Sequence, residues 1–431
     1  MLDNVLRQLD IGMPRSDGPI DLATAMALCH TPGVGIALIL DGAVAETCYA
    51  GVREIGGAPV DEHTLFQAGS VAKSVAAACA LRLVADGVLG LDDDVNVGLR
   101  SWRVPANDGW QPVVTLRQLL GHTAATTAGG YIGYPRGAHV PTVPEILDGR
   151  GNSEAVVVTG LPGLRYGYSG GGYLVAQQLC VDVTGTDFPT LAKRLVLDPA
   201  GMVDSTFAQP LPDALASNAA SGHHPGPVMV PGRWHTYPEM AAGGLWTTAT
   251  DLARFFLAIR AGLTGAPGGL LPRAVTEEMA TPLTDVPYGL GLVVAPPGEP
   301  ARIANFGNDQ GFENHATVQV ESGQGLVVTT NSFYGKELIN YVLLPAVRRE
   351  LGWPGSETVT ESGEAVPGRY GDIGIERDGD DLLLNYPAQP AVRLVHGGGR
   401  WRAREINLDA WFEDGVLLVD QSGSVTRHGP A

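Results

Sequence analysis

Cysteine is scarce in this chain. Its 431 residues hold four, Cys29, Cys48, Cys79 and Cys180. Their spacings fit neither a C-x-x-C pair nor a zinc pattern, so neither a disulfide framework nor a cysteine-ligated metal is expected. Basic residues are also few. Lys and Arg total 28 against 46 Asp and Glu, a net charge of −18. A field of that sign repels polyanions, which sets nucleic acid aside as a partner. No apolar run reaches the length of a membrane span, so no membrane association is expected. The opening stretch, MLDNVLRQLDIGMPRSDG, lacks the basic start, apolar centre and cleavage site of a secretory signal, and a cytoplasmic location is the resulting expectation. His223, His224 and His235 share a loop-rich region, but no carboxylates stand beside them at ligand spacing, and no metal is expected there.

What the chain has is a globular composition, 44% apolar and 17% charged, long enough for more than one domain. Residues 34–40, VGIALIL, and the following AVAETCYAG are β-like runs separated by Asp41-Gly42, a hairpin signal. Residues 70–87 read as a buried helix ending at Gly87, with Cys79 as a small buried hydrophobe. Residues 115–122 read as a short amphipathic helix and 173–185 as a longer one. FPTLAKRLVLDPAGM is helical up to about Pro199, and TATDLARFFLAIRAG has a polar start, an apolar stripe and a Gly stop. Residues 315–330 look like a second hairpin, and KELINYVLLPAVRRELG like a last helix. Strands at both ends with helices between give an α/β chain of the α+β kind rather than a β-α-β repeat. A Gly/Pro/Glu/Ser linker at 352–368 separates residues 1–351 from a strand-rich tail, 369–431, read as a small antiparallel β module.

The chemistry-bearing stretch is QAGSVAKSVAAACALRLVADG, residues 67–87. Residues three apart share a helix face, so Lys73 lies within reach of Ser70. A serine hydroxyl needs a base to become a nucleophile, and a lysine can be that base when burial or neighbouring charge lowers its pKa. Its apolar flanks place Lys73 in the wall of a core. The same residues also fit a plainer account, with Ser70 a helix cap and Lys73 snorkelling to the surface.

Several further blocks stand around this one: PGVGIALILDGAVAETCYAG, DEHTLFQAGSVAKS, TLRQLLGHTA, LPGLRYGYSGGGYLVAQQL, MAAGGLWTTATDLARF and YGLGL, in that order over residues 30–350. Together they resemble the serine β-lactamase and penicillin-binding-protein superfamily, in the branch of class C β-lactamases, D-amino-acid peptidases, esterases and transacylases. The resemblance implies a transpeptidase-like sandwich, an antiparallel sheet with helices on both faces and a helical insert. It implies a lipocalin-like character for the β tail, as in some relatives. It makes Ser70 the acylated nucleophile, Lys73 its base and Tyr168 the tyrosine that exchanges protons with Ser70 and the leaving group. It places the oxyanion hole at the backbone N–H groups of Ser70 and Asn308. It puts Gly170, Asn305 and Gly307 at substrate-binding positions. No cofactor is implied. The partners would be a small-molecule or peptide ester or amide and an amine acceptor.

The chain departs from the family pattern at two of those positions. NFGN places Asn305 where K-T-G or H-x-G carries a cation, and Gly170 stands where many members have Asn. Asn305 puts recognition of a substrate carboxylate in doubt, and Gly170 removes one polar contact to a substrate amide; with the cytoplasmic location expected, these changes favour an esterase or transacylase of specialised metabolism. The alternatives are a D-stereospecific peptidase, a peptide cyclase or β-lactamase, and a catalytically inactive binding protein. A further rival lies in GYSGG, residues 167–171, which fits the G-x-S-x-G elbow of α/β-hydrolases with Ser169 as nucleophile. No strand-like run leads directly into it. His122 has a family counterpart that is usually structural, and it is read as packing.

Overall fold

The computed structural model describes residues 1–9, 19–224, 228–353 and 366–430, without 380, 388–390, 398–399, 404–407, 414 and 422–423. The linker expected at 352–368 falls largely outside these residues, as does much of the opening segment. Two compact units emerge: Met1–Leu2 with Met26–Ile339, and Asp3–Ala25 with Asn340–Ala431.

The first unit is built on an antiparallel sheet. Its strands are β1 (Gly33–Leu40), β2 (Ala43–Gly51), β3 (Val293–Val294), β4 (Arg302–Asp309), β5 (Phe312–Gln319) and β6 (Gly325–Thr330), in the spatial order β2-β1-β6-β5-β4-β3. The Asp41-Gly42 signal becomes the turn between β1 and β2, with φ of 51° and 75° at its two residues. Positive φ at both positions matches the right-handed twist of the flanking strands. Strand β1 lies between β2 and β6 and is buried along all but its last residue, which explains its unbroken apolar run.

Helices supply the rest of this core. They include α1 (Ala72–Ala85), α2 (Leu116–Leu120), α3 (Gly170–Thr184), α4 (Met240–Gly243) and α5 (Ala249–Thr264). Helix α5 is set by its sequence: Thr248 caps it by accepting the Asp251 N–H, and Gly265 ends it at φ 74°. Its Leu252, Phe255, Phe256 and Ile259 share one core with Ala37, Ile39, Ala316, Val318 and Val327 of the sheet. Helix α1 is apolar around most of its circumference and is correspondingly buried, Lys73 and Ser74 included. It starts at Ala72 rather than Ser70, because Gly69–Val71 form a 3₁₀ turn. The helix expected at 173–185 instead begins at Gly170, three residues early, because Ser169 caps it. The segment 188–199 is an α-helix only over Phe188–Ala192 and continues as a π-helical turn, Lys193–Leu197.

In the second unit, eight strands among the described residues run from Gly368–Tyr370 to Ser424–His428 as one antiparallel meander. Each pairs with the next in sequence, and Tyr370, Leu382, Leu384, Leu394, Trp401 and Leu417 form part of its core. No pairing among the described residues joins the last of these strands to the first. No helix among the described residues is long and apolar enough to cross a membrane.

Candidate active site

The site is assembled where the turn before α1 meets the outer edge of β4. Phe66–Gln67 pair with Trp246–Thr247, and the Ala68 N–H bonds to the Leu245 carbonyl at 2.8 Å. The chain then turns through Gly69, at φ 54°. A Cβ on Gly69 would lie 2.5 Å from the Asn308 nitrogen, and one on Gly307 would lie 2.5 Å from the Ser70 nitrogen and 2.1 Å from the Ala68 oxygen. Only glycine at both positions lets these backbones approach so closely.

The register of the β4–β5 hairpin fixes which way the Asn308 N–H points. Asp309 opposes Phe312 across a two-residue turn, and Asn308 opposes Glu313. The pair that closes such a turn exchanges both hydrogen bonds, and bonded pairs alternate with unbonded ones. Asn308 is therefore in an unbonded pair, and its N–H points off the outer edge of β4. Strand β3 covers that edge only at Ile303 and Ala304. Beyond it, the Ser70 turn takes the place of a strand.

Two side chains converge on the Ser70 hydroxyl. The Lys73 Nζ lies 3.1 Å from Oγ and also donates to the Ala242 carbonyl at 2.7 Å. The Tyr168 phenol donates to Oγ at 2.7 Å. Lys73 is only 3% exposed, and its ammonium lies 4.9 Å from the centre of the Tyr168 ring. The Ser70 hydroxyl makes no helix-capping bond, so the capping account of this serine does not hold.

Tyr168 is held by a residue read from sequence as mere packing. The His122 carbonyl accepts the Gly167 N–H at 2.7 Å, and its Nδ1 accepts the Ser169 N–H at 3.1 Å. Its ring lies 4.3 Å from that of Tyr168. Burial holds the imidazole well below its ordinary range, and the Lys73 charge adds to this. The ring is therefore neutral, and with Nδ1 accepting, its proton sits on Nε2. The His-to-tyrosine distance in sequence gave no sign of this clamp.

Ser169 is not a nucleophile elbow. It is 2% exposed, accepts the Gly172 N–H at 3.1 Å as the cap of α3, and donates to the Thr127 carbonyl at 2.8 Å. The Thr126 hydroxyl donates to it at 3.0 Å. No strand runs into it, and its hydroxyl faces no base.

The three residues expected at substrate-binding positions all have partners inside the protein. Asn305 is 4% exposed, and its amide donates to Ser74 Oγ at 2.7 Å and to the Gly291 carbonyl at 3.2 Å. Its carbonyl oxygen takes the Phe306 N–H at 2.8 Å, so the side chain is fully engaged inside the protein. Gly170 is buried, with its N–H on the Gly129 carbonyl and the Tyr131 ring within 3.1 Å of where a Cβ would sit. Gly307 is buried against the Ser70 turn, where it permits close approach. The histidines of the loop-rich region also have structural partners: Nδ1 of His223 bonds to the Asn331 carbonyl and Nδ1 of His235 to the Ile132 carbonyl. No group of three metal-ligating side chains occurs among the described residues.

A serine hydroxyl met by a buried lysine and by a tyrosine, beside an open strand edge, agrees with what comparison with known proteins finds. The family model for Beta-lactamase matches residues 21–343, and the chain belongs to that family. It is 28% identical to Esterase EstB of Burkholderia gladioli over 264 residues, covering 51% of this chain and 62% of that protein. It is 27% identical to Penicillin-binding protein 4 of Amycolatopsis lactamdurans over 237 residues, covering 52% of this chain and 58% of that protein. The chain thus spans about three fifths of the length of each of these relatives. In fold it is similar to the octameric penicillin-binding protein homologue from Pyrococcus abyssi, with a TM-score of 0.66 and 21% identity over 94% of this chain and 98% of that one.

Proposed function

We propose that the protein is a serine hydrolase or acyltransferase that works through a Ser70 acyl-enzyme, with an uncharged ester as its preferred donor. The observation that carries this reading is the convergence of Lys73 and Tyr168 on one Ser70 oxygen, at 3.1 and 2.7 Å. With Lys73 neutral, the 3.1 Å contact reverses and the Ser70 O–H donates to the amine. As Oγ bonds to the substrate carbonyl carbon, its proton passes to Lys73 and the carbonyl electron pair moves onto oxygen. The Ser70 and Asn308 N–H groups stabilise that oxyanion. When the intermediate collapses, the bond to the leaving group breaks. Tyr168 hands the leaving group its proton and recovers one from Lys73. Water or an amine then attacks the acyl-enzyme by the same steps in reverse, and Ser70 is regenerated.

The preference for an uncharged ester rests on Asn305. The cation expected there would anchor a substrate carboxylate, and the amide in its place is engaged inside the protein. Beside it, Phe306 is 54% exposed and stacks on His315, an aromatic surface rather than an anion site. The similarity to a protein named an esterase supports the same choice.

The test is intact mass after incubation with a fluorophosphonate, for wild type, Ser70→Ala and Ser169→Ala. The adduct is expected on wild type and Ser169→Ala and absent from Ser70→Ala. Labelling that survives in Ser70→Ala and vanishes in Ser169→Ala would sink the assignment.

A further inference from the structure

Asp309 is the last residue of β4, and no step of the proposed reaction uses it. Its Oδ2 accepts the Gly69 N–H at 3.1 Å. The Tyr237 phenol takes the Gln310 N–H at 3.2 Å and lies against the same carboxyl, where it favours the charged form. Tyr237 is 1% exposed, so its phenol is held in place beside that carboxyl. Burial pushes the carboxyl well above the ordinary range, opposed by the Gly69 N–H and the Lys73 charge, while Glu239 adds to the rise.

The position of this hydrogen bond matters more than its strength. Gly69 immediately precedes Ser70, and Asn308 immediately precedes Asp309. One contact therefore ties together the two peptide segments whose N–H groups must meet on a single oxygen. Oxyanion donors act only when both lie about 2.7–3.1 Å from it, and small displacements are costly. A sheet would normally hold such a spacing with ladder hydrogen bonds, but β3 pairs with β4 only at Ile303 and Ala304. The Ser70 turn is not a strand and supplies no ladder. The Asp309 carboxyl stands in for one.

We propose that Asp309 is a positioning residue that sets the oxyanion hole by accepting the Gly69 N–H. The proposal rests on the acyl-enzyme reading of Ser70. An amide oxygen serves as well as a carboxyl oxygen for this role, so Asp309→Asn keeps the contact and Asp309→Ala removes it.

The experiment measures kcat and KM for p-nitrophenyl butyrate, Ki for phenylboronic acid and melting temperature, on wild type, Asp309→Ala, Asp309→Asn and Tyr237→Phe. A boronate forms a tetrahedral adduct on the serine and reports on the hole directly. Asp309→Ala is expected to lose about 100-fold in kcat, with a comparable rise in Ki and KM within about 3-fold. Asp309→Asn should stay within about 5-fold of wild type. Asp309→Ala with near wild-type kcat and Ki overturns the proposal. So does Asp309→Asn losing as much as Asp309→Ala, because the charge would then matter and not the acceptor. If Asp309→Ala does not fold, Tyr237→Phe decides. A weakened boronate with KM unchanged supports the proposal, and an unchanged boronate overturns it. Failure of the underlying reading looks different: Ser70→Ala would still turn over the ester, or wild type would show no ester turnover or boronate binding.

Discussion

Ser70 and Ser169 make a controlled comparison within one molecule. Each follows or precedes glycine, each stands just before a long apolar helix, and each matches a catalytic motif. Their hydroxyls have opposite fates. That of Ser169 is closed off by main-chain groups and Thr126, and the helix begins directly on it. That of Ser70 is met only by the side chains of Lys73 and Tyr168, and the helix begins two residues later. The 3₁₀ turn makes the difference. By delaying the helix it frees the hydroxyl from capping and leaves it for chemistry. A serine bonded to its own backbone is a structural part, whereas one bonded to a buried amine can be a reagent.

The largest effect that would sharpen this contrast is expected at Lys73. Lys73→Met should lower kcat/KM by about 10⁴-fold, and Lys73→Arg should not restore it, because a guanidinium keeps its proton. Ester turnover assays check this. Activity recovered in Lys73→Arg would mean that Lys73 acts as a fixed charge rather than a base.

A smaller effect is expected at Tyr168. Tyr168→Phe should lower kcat by about 100-fold, while fluorophosphonate labelling of Ser70 persists at a slower rate. Rates that match wild type would leave Lys73 alone to carry the proton to the leaving group.

The smallest effect concerns His122, which touches both sides of the comparison through Tyr168 and the Ser169 N–H. Its folded pKa is depressed, so the unfolded chain takes up its proton first. The stability this group contributes is therefore present above about pH 6.5 and falls as pH drops below it. Between pH 7.5 and 5.5, wild type should lose about 1 kcal/mol more than His122→Gln in urea unfolding. Equal losses in the two proteins would show that this imidazole does not stay neutral when folded.

Much of this was legible in the sequence. The Asp41-Gly42 hairpin, the caps of α5 and the apolar periodicity of the helices are local signals, and local signals carry their own physics. Ser70 and Lys73 were legible because three residues of helix or turn bring their side chains to one side. The internal partners of Asn305, Gly170 and Gly307 were not legible, for the opposite reason. Motif position located them near the site but did not say what each packs against, and all three are buried. Asp309 gave no signal at all: its partner, Gly69, lies 240 residues away in sequence.

The order of elements, the serine–lysine spacing and the glycines that permit a tight approach at φ values other residues resist are all written locally along the chain. These follow from short-range sterics and periodicity, which need no knowledge of the rest of the chain. Which serine stands free, which tyrosine reaches it, and how β4 and the Ser70 turn are held side by side emerge only in the folded chain. Those outcomes depend on contacts between segments far apart in sequence. They are settled by packing a whole core at once, and no single stretch of residues encodes them.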